Sequence, residues 1–230
     1  MHLPPSETDM DLPRVIAVGG FASNVGKTTL MCQLLRAFPG WEAIKTTRGH
    51  YRSCGKDPQA CCVSHLLSDK PVLRSGRGET YAPGKDTGRY WDAGAANVHW
   101  LIAAEEQIKP GIKEVLKRVR SEGVFIEGNT FTEYVDVDAL IMAVREEDHQ
   151  IKRSARRALF KASALYVWSD TNQNGNQHDI RVGNQHDIRV EDWSSSENLK
   201  QRVARLPRYT PENLPDLISS LRKIDRPATA

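Results

Sequence analysis

The residues best suited to chemistry lie near the start of the chain, where GGFASNVGKTTL occupies positions 19–30. Gly20, Ser23, Asn24, Val25 and Gly26 offer successive backbone N–H groups to an anion, and a helix opening at Lys27 adds its positive end. Lys27 is spaced to reach the β- and γ-phosphates of a nucleoside triphosphate, with Thr28 as a Mg2+ ligand and Thr29 completing the cradle. The spacing departs from GxxxxGK[ST], because Phe21 stands where a glycine is usual and one further residue precedes Gly26.

Such a loop needs a carboxylate at the end of a neighbouring strand to hold Mg2+ or its water. Glu127, in VFIEGN, fills that place, the alternative being a solvated strand end. Lys27 and Glu127 are therefore the candidate catalytic pair, and Gly128 would let a backbone N–H approach the γ-phosphate. No NKxD guanine signature follows the later strands, which leaves GTP and ATP both open. Asp170 and Asn172, after YVWS, are the best-placed acceptors for a base edge.

A second chemical constellation is H-x3-C-x6-C-C-x2-H, from His50 to His65. Thiolate and imidazole at Cys54, Cys61 and Cys62 suit Zn2+, a related transition metal or an iron–sulfur cluster. Adjacent cysteines are not the usual C-x2-C clasp, so incidental thiols are the competing reading. Cys32 falls on the apolar face of the first helix and reads as core.

These residues need elements to hold them. The β-branched run Arg14–Gly20 reads as a buried central strand, and Leu30, Met31, Leu34 and Leu35 mark one face of a helix over 27–37 that Pro39-Gly40 ends. Strands are predicted at 41–47, 98–103, 124–128, 138–144 and 164–169, with helices at 87–93, 110–121 and 151–161. That alternation predicts a three-layer α/β fold, a mainly parallel sheet with helices on both faces, in one domain. Residues 48–82 lose all periodicity and form an irregular insertion carrying the cysteines. Residues 171–192 read as a surface loop in which GNQHDIRV occurs twice, at 175–182 and 183–190. Its His178 and His186 are either metal ligands or parts of a mobile loop. One or two helices close the chain over 196–223.

Composition bounds the partners. The 230 residues carry a net charge of +3, too small to draw nucleic acid or an anionic membrane. No apolar run approaches the roughly 20 residues of a membrane span, and the proline-containing, acidic N-terminus is not a secretory signal. A cytoplasmic location with reduced thiols is expected.

Several stretches together resemble the molybdopterin-guanine dinucleotide biosynthesis protein B family: the phosphate loop, AIKTT, PGKDTGRYWDAGA, FIEGN and YVWSD. The loop form GFASNVGKT is also similar in length to those of dethiobiotin synthetase and the cobyric and cobyrinic acid amide synthases. The family resemblance implies GTP binding, slow hydrolysis, help in attaching GMP to molybdopterin alongside a cofactor-biosynthesis enzyme, and often a homodimer. It matches Lys45 to a lysine after the second strand, and Lys85 and Asp86 to the family's GKD; these would face substrate or partner. Asp86 has a second reading as the N-cap of the following helix, and Lys45 as a solvated strand end. An ATP-dependent small-molecule kinase or ligase and a metallochaperone GTPase are the alternatives.

Overall fold

The computed structural model describes residues 13–49, 64–147, 149–169 and 190–224. His50, Cys54, Cys61, Cys62, Asp170, Asn172, His178, His186 and both GNQHDIRV copies lie outside them.

Ten strands and seven helices follow one another along the described chain. Strand β1 (Arg14–Gly20) leads through the glycine loop into α1 (Lys27–Ala37), followed by β2 (Glu42–Arg48), β3 (Val72–Ser75), α2 (Arg77–Thr80), α3 (Asp86–Asp92) and β4 (Val98–Ala103). Then come α4 (Ile108–Leu116), β5 (Gly123–Glu127), β6 (Ala139–Arg145), β7 (Gln150–Lys152), α5 (Arg153–Leu159), β8 (Ala164–Trp168) and β9 (Val190–Asp192). The chain closes with α6 (Glu197–Arg205), β10 (Arg208–Tyr209) and α7 (Leu214–Arg222). Among the described residues no helix is long and apolar enough to cross a membrane.

Eight strands form one sheet in the order β10-β8-β6-β1-β5-β2-β4-β3, and β7 pairs with β9 separately. All the ladders of the large sheet are parallel except that of β3 with β4. Period-two alternation divides the apolar side chains between two layers. Val15, Ala17, Val124, Ile126, Leu140 and Met142 join the core beneath α4, α5 and α6. Ile16, Val18, Phe125 and Ile141 join the core beneath α1, α3 and α7. Strands buried on both faces read as continuous apolar runs, which is why β1, β5 and β6 are legible from sequence. A parallel sheet covered by helices on both faces, with a strand–glycine loop–helix at its centre, is the three-layer P-loop NTPase fold.

Differences from the sequence reading sit at the margins. Within 48–82, expected to be irregular, β3 and the one-turn helix α2 are ordered. The helix expected from residue 151 begins at Arg153, because Ile151 lies on β7 opposite Glu191. Residues 190–192, expected in a loop, form β9.

Candidate nucleotide site

Strand β1 sits where the sheet order reverses, with β5 on one side and β6 on the other. At such a switch point the helical connections part to opposite faces and leave a crevice at the strands' C-terminal ends. The glycine loop crosses that crevice. Phe21 explains the loop's unusual spacing: its N–H still pairs with Ala143 O at 3.0 Å and its ring is fully buried, so it prolongs β1 and anchors the loop. Gly26 takes φ 80 immediately before α1, and Asn24 takes φ 60. A Cβ on Gly26 would meet Trp168 Nε1 at 2.5 Å, so only glycine lets the indole at the end of β8 lie against the loop.

At the foot of the loop, five side chains from four separate stretches of the sequence share bonds. Thr28 Oγ1 stands 3.0 Å from Asp86 Oδ1 and 3.0 Å from Glu127 Oε2, so its one proton serves either carboxylate. Lys45 Nζ lies 2.6 Å from Asp86 Oδ2 and also bonds Glu127 Oε1. The buried phenol of Tyr90 donates to Glu127 Oε2. Burial pulls the Lys45 ammonium down, but the charges of Glu127 and Asp86 outweigh it and hold it above its usual range. Burial likewise raises Asp86, and the Lys45 charge more than reverses this, leaving its carboxyl below the usual range. For Tyr90, burial and the Glu127 charge act together and keep the phenol protonated well above its usual value.

Lys27 Nζ donates to Ala22 O at 3.1 Å, folded back over the loop it serves. Its pKa is lowered, first by burial and then by the charges of Lys45 and Lys152, with Glu127 opposing. A cation crowded by cations is the electrostatic complement of a polyanion.

The placement of the sequence candidates is uneven. Asp86 is the first residue of α3, which Lys85 precedes as N-cap; its carboxylate therefore does not cap the helix and bonds Thr28 and Lys45 instead. Lys45 is likewise not a solvated strand end. Lys85 itself is exposed. The Gly128 N–H, expected to face the γ-phosphate, donates to Val18 O at 3.1 Å, and φ 148 there turns the chain after β5. Val25 is buried, Ser23 receives a bond from Lys152 Nζ at 2.6 Å, and Thr29 Oγ1 accepts from Arg89 at 3.2 Å.

The sequence reading passed over three participants. Asn129 grips Gly20 twice, accepting from its N–H at 3.0 Å and donating to its carbonyl at 2.9 Å, which ties the loop to the end of β5. Tyr90 lies four residues after Asp86, the helical spacing that puts both on one face, and that signal was readable. Lys152 gave no signal, since it reaches Ser23 across 129 positions.

Two carboxylates, a hydroxyl and an ammonium lodged between them form an oxygen-rich site with a cation at its centre. The donor set fits Mg2+, which is commonly held by one or two carboxylates together with substrate phosphates and water. Among the described residues, no group of three or more His, Cys, Asp or Glu side chains is arranged to hold a metal.

No protein-family model matches the chain, and no curated protein is significantly similar to it. Among solved structures, an "apo" form of LpxK from Aquifex aeolicus in complex with ATP is similar at 20% identity and a TM-score of 0.42. The match covers 67% of this chain and 48% of that one, so this chain spans about half the length of that protein.

Proposed function

We propose that this protein binds a Mg2+–nucleoside triphosphate, GTP or ATP, and hydrolyses it slowly at the γ-phosphate. The observation that carries this reading is the convergence of Thr28, Lys45, Asp86 and Glu127 directly below the glycine loop. Thr28, Asp86 and Glu127 would hold Mg2+, which supplies neutralisation of charge on the β- and γ-phosphate oxygens. Lys27 leaves the Ala22 carbonyl to meet those phosphates, and the loop N–H groups orient them. Turnover is slow because Lys45, Tyr90 and Thr28 already engage the Glu127 carboxylate, which leaves it a poor base.

The motif resemblance favours a role assisting the formation of molybdopterin guanine dinucleotide. What supports it is that AIKTT and PGKDTGRYWDAGA, two of the runs carrying the resemblance, supply Lys45, Asp86 and Tyr90 to one cluster.

The test is a thermal-shift and calorimetric titration of GTP and ATP, with and without Mg2+, on wild type and Lys27→Ala. Wild type should be stabilised by one of them in a Mg2+-dependent way. Lys27→Ala should fold normally and bind roughly 100-fold more weakly, the equivalent of about 3 kcal/mol for a lost charged hydrogen bond. Unchanged affinity in a folded Lys27→Ala protein would sink the proposal.

A further inference from the structure

The cavity beside the glycine loop has a volume of 330 Å³, within the range of small-molecule sites. Among the described residues that line it, Lys27, Lys45, Arg48 and Lys152 are cationic and none is acidic. Thr47 and Thr130 also line it, the Thr47 hydroxyl accepting from Trp100 Nε1 at 2.9 Å. The loop has a direction: its Gly26 end lies against Trp168 at the end of β8, whereas its Ala22–Ser23 end borders the cavity with the end of β2. Loop N–H groups cradle the inner phosphates and the lysine reaches the terminal one. A triphosphate therefore points its γ-phosphate towards Lys27 and the cavity, which Arg48, the last residue of β2, also lines.

Lys27 and Lys45 are accounted for by the triphosphate and by the carboxylates of the Mg2+ site. Arg48 and Lys152 have other partners, away from those groups. Arg48 pairs with Glu105 at 3.1 Å, but Glu105 is 53% exposed, and such an ion pair is weak in water and readily exchanged for a better-shielded anion. Lys152 is held to Ser23 of the loop and lies next to the path of the phosphates. A guanidinium and an ammonium lining one cavity offer charge-assisted donors suited to the oxygens of one phosphate or carboxylate group.

We propose that the outer part of this cavity binds a second ligand, a small organic anion bearing a phosphate or carboxylate group, held between Arg48 and Lys152 against the terminal phosphate of the nucleotide. The inference rests on the nucleotide reading above and deepens it: a second bound anion lies beside the γ-phosphate.

The experiment is calorimetry on protein saturated with Mg2+ and the non-hydrolysable analogue AMP-PNP, titrated with glycerol 3-phosphate and, separately, with glutarate. At least one anion should bind wild type and lose roughly tenfold or more in affinity in Arg48→Gln, while AMP-PNP affinity in that variant stays unchanged. Arg48 belongs to no core cluster, so the variant should fold; Lys152→Gln provides a second variant with the same expected loss of anion affinity. Binding of glycerol 3-phosphate alone identifies a phosphate-bearing ligand, and of glutarate alone a carboxylate-bearing one. If AMP-PNP binds but neither anion does, or if both variants bind the anion as wild type does, the inference is overturned. If GMP-PNP binds and AMP-PNP does not, the same titrations are read on the GMP-PNP complex; failure of both analogues to bind overturns the nucleotide reading and this inference with it.

Discussion

Glu127 is 2% exposed, and its two carboxylate oxygens are reached by Lys45, Tyr90 and Thr28. A charge buried to that degree persists only when paired and hydrogen-bonded, so each of these donors contributes to the fold as well as to the site. Tyr90 isolates one of those contributions, because its ring is fully buried and its hydroxyl meets only Glu127 among the described residues. Tyr90→Phe keeps the ring and removes the donor. Urea unfolding should show a loss of about 2 kcal/mol, the usual worth of a hydrogen bond to a charged group. A change below about 0.5 kcal/mol would mean that water or Thr28 replaces the phenol at no cost.

Elements place these side chains through backbone features that tolerate no substitution. The turn from β1 into α1 depends on Gly26, where positive φ and the indole of Trp168 act together. Gly26→Ala carries about 1–2 kcal/mol of left-handed strain before any clash is counted. The clash at 2.5 Å then forces Trp168 away from the loop. Stability should fall by more than 2 kcal/mol on the same strain scale, and nucleotide binding should weaken in step. A crystal structure of Gly26→Ala with Trp168 unmoved would contradict this account. Gly128 performs the matching task after β5: a Cβ there would meet Thr46 Oγ1 at 2.0 Å, and the turn it allows brings Asn129 onto Gly20.

Across the whole molecule, the end of the sheet opposite the candidate nucleotide site is closed by a second polar chain. Glu42 Oε1 accepts from the N–H groups of Arg120 and Ser121 at 2.7 and 2.9 Å, its Oε2 lies 2.7 Å from His99 Nε2, and His99 Nδ1 lies 2.8 Å from Ser75 Oγ. These bonds tie β2, β3, β4 and the α4–β5 connection together, with His99 1% and Glu42 3% exposed. Burial raises the Glu42 pKa, but the His99 bond and the two backbone N–H bonds outweigh it and hold the carboxyl below its usual range. A depressed folded-state pKa contributes stability that is complete above the unfolded value, about 4.3, and is lost as pH falls through the folded value. Glu42→Gln should therefore be less stable than wild type near neutrality and lose less stability on acidification below about pH 4.3. Parallel stability–pH curves for the two proteins in urea would refute that role.

What sequence alone determined is what local spacing can encode. Gly20 to Thr29 are contiguous, so the loop and the Lys27–Thr28 pair are readable wherever a buried strand precedes a helix, and β1, β5 and β6 announce themselves by apolar runs. The edges were not readable. β3 is four residues, half-buried throughout and without alternation, and β10 is two residues. Tertiary structure alone decided that Lys45, Asp86, Tyr90 and Glu127, spread over 82 positions, meet at one point. Parallel strands run to the same edge of the sheet, so Lys45 on β2 and Glu127 at the end of β5 come side by side whatever their separation in the chain. No periodicity within a segment carries that information, because it resides in the order in which the strands pair.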